Sequence, residues 1–562
     1  MILKALYDYY YRCGNLPPKG LELKEIGYLI VVEKDGTFVR LESRMIDNNT
    51  ASPFCVLETV VRSGRKFIPN YFWDKYEYII GGDSENEKKH QTFKELVRKY
   101  KTLLPNNDCV NAIFNFYQKY ENIKTVIEKD RLFDRLRNST KYISFLLNGN
   151  TYIAAEDKDI INKVLSEQNT ELNDNVCLIT GVNSPIARLH KSIKLTNDTG
   201  PLVAFQKKNG YDSYGKMQAN NAPVSEDAEF AYRTALNYLL RSDSRNKFLI
   251  GNRTFVFWAS NNNEIGKQAE ESIWNMFGFN DLNDDDPNRG IEQVRKVFKS
   301  IYSGSLKTSL DDKFYILGLA PNSARIAVTY WAEIPLIEFA ERINSHFDGM
   351  EIVDMRKNSD PYMGLKSIIS SVTLSGRHKD VTPNLPESVV KSIFQGLPYP
   401  YTLMAECIRR IRAEQKISIT RAAIIKAYLN RLNNSEQKIK VMLDNENKNQ
   451  GYLCGRLFAV VEKIQEEANK QNSIRERYMN SASATPAMVF PTVLNLSSHH
   501  SEKLSEKRKI WFEKLKQEIV DKISSDGFPA HLDLQDQGRF FVGYYHQRQD
   551  FFEKRTINNE NE

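Results

Sequence analysis

The sequence predicts an α+β protein: a mixed α/β N-terminal region with β-hairpins, followed by an all-helical C-terminal bundle. Three observations predict it. Asp35-Gly36 separates two short apolar runs, Tyr28 to Val32 and Thr37 to Leu41, and Asp-Gly between such runs marks a hairpin turn, with positive φ expected at both central residues. A second hairpin pattern lies in ILGLAPNSARIAVTYWAEIP, Ile316 to Pro335. From about residue 385 onward strand-like patterns nearly vanish and helical periodicity dominates. The boundary is placed there, giving regions 1–384 and 385–562.

Length and composition set the frame. The chain has 562 residues, room for roughly three or four domains. Hydrophobic residues make up 41%, enough for real cores, and the net charge of +7 is a mild basic excess, compatible with a polyanionic partner. The chain after about residue 440 sums close to neutral, so any basic patch is local to the earlier part. The six cysteines stand apart with no CxxC pair, which excludes a zinc ribbon or redox motif and suits a reducing cytosol. The N-terminal MILKALYDYYYRCG reads as an amphipathic helix rather than a signal peptide, and no apolar run reaches the ~20 residues of a membrane span.

The elements follow in order. After the first helix and Pro17-Pro18 comes the Asp-Gly hairpin. Residues 85–104, 107–121 and 127–137 read as helices, and Tyr142 to Leu147 and Val176 to Thr180 as strands. AEFAYRTALNYLL, Ala228 to Leu240, is helical, with Ser225 as its N-cap and Glu226-Asp227 in its first turn. Thr254 to Ala259 is a strand, and EIGKQAEESIWNMFG a helix. In the second hairpin an apolar strand (Ile316 to Leu319) meets a turn at Pro321 to Ser323. Strict alternation in the returning strand places Ile326, Val328 and Tyr330 on one face and Ala327, Thr329 and Trp331 on the other. The helices of the second region are 387–395, 400–412, 419–432, 451–470, 501–524 and a short one at 550–556.

Four stretches carry candidate chemistry. In VVRSGRKFIPNYFWDKYEY, Arg62, Arg65 and Lys66 surround Gly64, and Asn70 follows Pro69. A basic loop on glycine tracks phosphates, and an adjacent Asn or Lys reaches base edges. The neighbouring aromatics alternate, which makes Phe72 and Tyr76 core residues; the alternative for the basic loop is an ordinary solvated turn. In the second stretch Arg188, His190, Lys191 and Lys194 are followed by Lys207, Lys208 and Lys216, interleaved with Gly, Asn, Tyr211 and Tyr214, a composition suited to following a nucleic-acid backbone. His190 reads as an ordinary polar histidine rather than a base. Arg325 is the only charge between Lys313 and Glu333 and stands at the hairpin mouth. Third, Lys503, Lys507, Arg508 and Lys514 form a basic stripe or a solvated helix face with Glu partners. Fourth, GRFFVGYYHQRQ near the C-terminus suits packing beneath a groove, or equally a buried helix with a polar tip.

Other patterns argue against common chemistries. NDLNDDDPN, Asn280 to Asn288, lacks the glycine and distal glutamate of a calcium loop, and His499-His500 with Glu502 lacks a third ligand at useful spacing, so no metal is expected. There is no GxxxxGK[ST], GxSxG or HExxH. Neither a catalytic residue nor a cofactor is assigned.

Several long words, in order, resemble the large subunit of type I-C CRISPR Cascade surveillance complexes: MILKALYDYY, PNYFWDKYEYIIG, CLITG, PIARLH, SYGK, NAPVS, ALNYLL, LGLAPNSARIAV, GRLFAVVEK, SASATPAMVFP and GRFFVGYYHQRQ. Together they span essentially the whole chain. The resemblance implies a non-enzymatic, cytoplasmic subunit at the foot of a guide-RNA ribonucleoprotein. Such a subunit reads a protospacer-adjacent motif in double-stranded target DNA, helps start strand separation and R-loop formation, and seats the helicase-nuclease. The implied partners are the Cascade backbone and handle-binding subunits, the small subunit and the helicase-nuclease, with no membrane. The family's C-terminal helical domain resembles the small subunit, made in such systems by internal translation, and Met442 is the candidate internal start. The family's motif-reading residues do not map securely onto this chain. Arg62, Arg65, Lys66 and Asn70 are candidates by chemistry and position; Arg188, Lys191, Lys194, Lys207, Lys208, Lys216 and Arg325 are candidates for the nucleic-acid backbone. Two other readings stay open: a guide-RNA-processing or DNA-cleaving enzyme of the same defence system, and a purely structural assembly subunit.

Overall fold

The computed structural model describes residues 1–60, 62, 67–82, 84–167, 174–195, 198–206, 212, 214–250, 253–276, 287–305, 311–323, 325–355, 364–374, 376, 380–382, 384–432, 438–469 and 473–559. The chain forms two compact units. The first contains Leu3–Lys191 and Val203–Tyr238, the second Ser192–Leu202 and Leu239–Glu562. The fold class is mixed α/β in the N-terminal region and helical toward the C-terminus, with small sheets. The change to helix-only sequence near residue 385 falls inside the second unit.

The first unit is built on the strand Leu21–Val32, buried continuously from Ile26 to Val32. That pattern belongs to a central strand covered on both faces. It pairs antiparallel with Phe38–Ser43 and Pro53–Leu57 and parallel with Tyr142–Leu147, which also carries Trp73–Asp74. Ile30, Val32, Phe145 and Leu147 face the helices Ser84–Leu103 and Asp108–Gln118, meeting Phe93, Val97, Val110 and Phe116. Leu29, Val31 and Leu146 point the other way, toward Trp73 and Ile153.

The first hairpin turns differently from the expectation. Only Gly36 has positive φ, at 85°. Gly36 N–H donates to Glu33 O and Glu33 N–H to Thr37 O, both at 2.9 Å, while the Asp35 carboxylate accepts from Thr37 N–H. This is a three-residue loop, a type I turn closed by a left-handed glycine, so Asp35 is spared that conformation. The strand expected at Val176 to Thr180 is also shifted: Asp174–Val176 pairs with Asn183–Pro185, and residues 177–182 make the turn.

In the second unit Lys247–Ile250, Arg253–Ala259, Lys313–Asn322 and Arg325–Pro335 form an antiparallel meander. Its core face presents Phe255, Phe257, Phe314, Ile316 and Tyr330 to the helices Glu264–Met276 and Leu336–Met350, with the Phe314 and Phe339 rings stacked at 4.5 Å. The expected alternation of the last strand breaks at a bulge. Gly318 pairs with Tyr330 but Leu319 with Val328, leaving Thr329 as the extra residue. A bulge flips the faces, so Val328, 44% exposed, does not share a face with buried Tyr330. The same hydrophobic cluster runs on through the helices Leu385–Gln395, Tyr401–Glu414, Ile419–Arg431, Gln450–Asn469 and Leu534–Asn559. The last two lie against each other along their length, and every residue from Gly451 to Gln465 is buried. Helices absent from the sequence reading include Lys158–Glu167, Pro287–Tyr302, Leu336–Met350, Leu365–Ser371, Ser473–Ala482 and Pro486–Ser501; Leu534–Asn559 was read only in part, as 550–556 and as one of two readings of GRFFVGYYHQRQ.

Candidate nucleic-acid interface

The basic loop after Val60 is anchored by its first arginine. Arg62 Nε donates to Ile68 O at 2.8 Å, one terminal nitrogen pairs with Asp74, and the guanidinium lies 4.2 Å over the Tyr78 ring. Asp74 is fully buried and also accepts Asn70 N–H at 2.8 Å. Burial pushes its carboxyl up, against the opposing pull of Arg62 and of the backbone donors at Asn70 and Lys75. Asn70 is 1% exposed, and its Oδ1 accepts Val60 N–H at 2.9 Å. As folded here Asn70 has no surface to offer a base, and Arg62 ties the two ends of the loop together. Arg65 and Lys66, between those ends, lie outside the described residues, as do Lys207 and Lys208.

The second basic stretch is sorted by its acids. Lys191 pairs with Glu58, and its own N–H donates to Glu229 at 2.9 Å. Arg233, 5% exposed, joins the same two carboxylates: Nε to Glu229 at 3.0 Å and a terminal nitrogen to Glu58. Burial pushes Glu229 up, partly offset by Arg233. Lys191 is therefore held in a structural network within the first unit. Arg188 and Lys216 are exposed, and Arg188 donates to Gln218 Oε1 at 3.4 Å. In the second unit Lys194 stands exposed on Ile193–Leu195, paired with Asp198–Gly200, and Arg325 stands exposed opposite Asn322 at the hairpin tip. Arg188 and Lys216 belong to the first unit, Lys194 and Arg325 to the second.

His190 is buried, its Nδ1 2.6 Å from the Tyr232 hydroxyl, and burial pulls its pKa down to about 4. In the C-terminal region Arg508 makes a bidentate pair with Glu467 at 2.7 and 3.0 Å, and Lys503 bonds Asn469 at 3.0 Å. Lys507 and Lys514 are exposed on the helix Glu506–Val520. GRFFVGYYHQRQ is a buried helix segment: His546 and Gln547 are fully buried, His546 Nδ1 meets the Tyr452 hydroxyl at 2.9 Å, and Gln547 accepts from Arg456 at 3.1 Å. Among the described residues no group of three or more His, Cys, Asp or Glu side chains is placed to hold a metal ion, and no helix is long and apolar enough to cross a membrane. The acidic loop at Asn280 to Asn288 lies mostly outside the described residues.

Asp74 and Glu58 were missed as the partners that decide which cations are engaged. Asp74 sits 12 residues from Arg62 and Glu58 133 residues from Lys191, separations at which local spacing carries no signal. A family model described as CRISPR-associated protein (Cas_Csd1) matches residues 6–552 of the chain. No curated protein matches it.

Proposed function

The chain belongs to the CRISPR-associated Csd1 family, the large subunits of type I-C Cascade, and from that premise we propose that it reads the protospacer-adjacent motif in duplex DNA, helps open the strands into an R-loop and recruits the helicase-nuclease. It is a subunit of a CRISPR Cascade complex, a ribonucleoprotein with other Cascade subunits. The observation that carries the finer reading is the family match over residues 6–552. In RNA-guided complexes base pairing reads the target and protein reads only the short flanking motif, so a few exposed cations and a local reading loop suffice.

The role is one of binding rather than catalysis. His190, the side chain best suited by type to act as a base in the basic stretch, is buried behind Tyr232 and held neutral. Arg65 and Lys66 are the proposed motif readers, with Arg62 fixing the ends of their loop. Arg188, Lys194, Lys207, Lys208, Lys216 and Arg325 are the proposed phosphate contacts. All six cysteines are unpaired, in keeping with action in a reducing cytoplasm.

The test is duplex binding by the complex reconstituted with guide RNA and its partner subunits, comparing every three-base flank at two salt concentrations. The expected result is a strong preference for one flank that disappears when Arg65 and Lys66 are both changed to Glu. Equal binding to all flanks would leave the subunit a scaffold or non-specific clamp.

A further inference from the structure

Asp212 and residues 214–221 form a closed finger on the first unit. Gln218 N–H donates to Asp212 Oδ1 at 3.0 Å and shuts its neck. Asn221 Nδ2 donates to Lys216 O at 3.1 Å and to Gln218 O at 3.0 Å, strapping the base, and Arg188 reaches Gln218 Oε1 from the side. At the tip the Tyr214 side chain is 99% exposed and Met217 61% exposed. Tyr214, Gly215 and Gln218 all have left-handed backbone, with φ of 51°, 71° and 48°.

That combination needs an explanation. A tyrosine ring ordinarily gains by burial, and an L-residue with a side chain is disfavoured in the left-handed region. Such strain persists only where the surroundings over-determine it, and it gathers at functional positions. Here the hydrogen bonds of the neck and strap hold the ring out in water. Two cations belong to the finger and its flank: Lys216 and Arg188, both exposed. Asp212, the only acid in residues 207–221, has one carboxylate oxygen accepting the neck hydrogen bond. An exposed, pre-positioned aromatic flanked by cations suits a nucleobase, whose face stacks on the ring while the cations take the adjoining phosphates.

We propose that Tyr214 is a base-stacking residue of this subunit: its ring packs against an unstacked base of the target DNA, with Lys216 and Arg188 on the flanking phosphates. The proposal rests on the DNA-reading function above and adds to it the element that holds an opened base.

The experiment uses the complex reconstituted with guide RNA and target duplexes carrying 2-aminopurine at successive positions, from the flank into the first guide-paired steps. Binding of the unmodified complex should change the fluorescence at one or two adjacent positions. Tyr214→Ala should abolish that change and weaken binding about tenfold, while Tyr214→Phe should keep both within about twofold. Gly215→Val tests the geometry: a Cβ there meets nothing within 4 Å, so the side chain fits, but the left-handed backbone is strained and the ring should be re-aimed. It should lose the position-specific signal as Tyr214→Ala does. The proposal is overturned if Tyr214→Ala gives the unmodified fluorescence and affinity, or if Gly215→Val does. It is equally overturned if Tyr214→Ala instead lowers the amount of this subunit retained in the purified complex, because the finger would then face a protein. Flank preference separates the two readings: absent in the unmodified complex, it defeats the function proposed above; present there and in Tyr214→Ala with the fluorescence unchanged, it defeats the finger alone.

Discussion

Gly455 and Gly543 let two helix backbones touch. A Cβ added to Gly455 would run into the carbonyl of Phe540 and close on the amide of Tyr544, and one added to Gly543 would meet the carbonyl of Tyr452. The obstacles are backbone, which cannot swing aside as a flexible side chain can. Gly455→Ala is therefore expected to force the helices Gln450–Asn469 and Leu534–Asn559 apart and to destabilise the protein by about 3 kcal/mol. Gly349 provides the contrast within the same unit. It is also helical, but its Cβ would lie 3.9 Å from the Ala427 methyl, an ordinary contact. Gly349→Ala should stabilise by up to about 1 kcal/mol through helix propensity alone. Denaturant melts of the two variants should move in opposite directions; a Gly455→Ala protein as stable as the parent would mean the helices do not approach this closely. The same scale explains what could be read of the candidate site. Arg62 and Asn70 stood out by type beside Gly64, yet both are fixed by Asp74, and Lys191 by Glu58. A sequence displays a cation but not the distant carboxylate that folding brings to it.

At the scale of elements, legibility followed local chemistry. Tyr142–Leu147 begins and ends where its apolar run does, and the N-terminal strands flank Asp35-Gly36 because turn residues act over three or four positions. The helices from Leu385 to Arg431 show a 3.6-residue period and were placed within about two residues. Leu534–Asn559 was read only in part, its aromatic run left open between a groove floor and a buried helix, because Gly538 and Gly543 look like helix breakers; their packing shows them to be contact points. Pro486–Ser501 was hidden by Pro486 and by Pro491 in its interior, although proline at the first helical position is favourable. These helices bear on Met442, which lies 60% exposed in the segment between Ile419–Arg431 and Gln450–Asn469. A product starting there would contain whole helices from Gln450 onward, including the glycine-packed pair. The proposed internal start predicts a second, shorter band on expression of the full gene, lost in Met442→Leu while the full-length chain persists. If the short band survives that change, the start lies elsewhere.

Among the described residues four histidines are buried as neutral imidazoles, two in each unit: His90, His190, His346 and His546. Burial, the largest cause for each, pulls the pKa of His90 and His190 down to about 4 and of His346 and His546 to about 3. His90 Nδ1 faces Tyr78 O, an acceptor only, so that nitrogen carries the proton. His546 Nδ1 faces the Tyr452 hydroxyl, which already accepts Asp444 N–H, so here the tyrosine donates and Nε2 carries the proton. A group whose folded pKa lies below its unfolded value binds more protons when unfolded. Its stabilisation is thus complete above the unfolded value of about 6.5 and is lost as pH falls toward the folded value. Each such histidine contributes a slope approaching about 1.4 kcal/mol per pH unit below 6.5. Asp74, Glu229 and Asp536, all raised by burial, bind protons more readily when folded and oppose the loss at the acid end. Between pH 7 and 5 the histidines dominate, so stability should fall steeply there, well before ordinary carboxylates titrate. Unfolding followed across that range should show proton uptake rising as pH drops, and His346→Gln should remove close to one proton of it. An uptake near zero at pH 5.5 would mean these imidazoles are already charged in the folded protein, contrary to their burial against tyrosine hydroxyls and a backbone carbonyl.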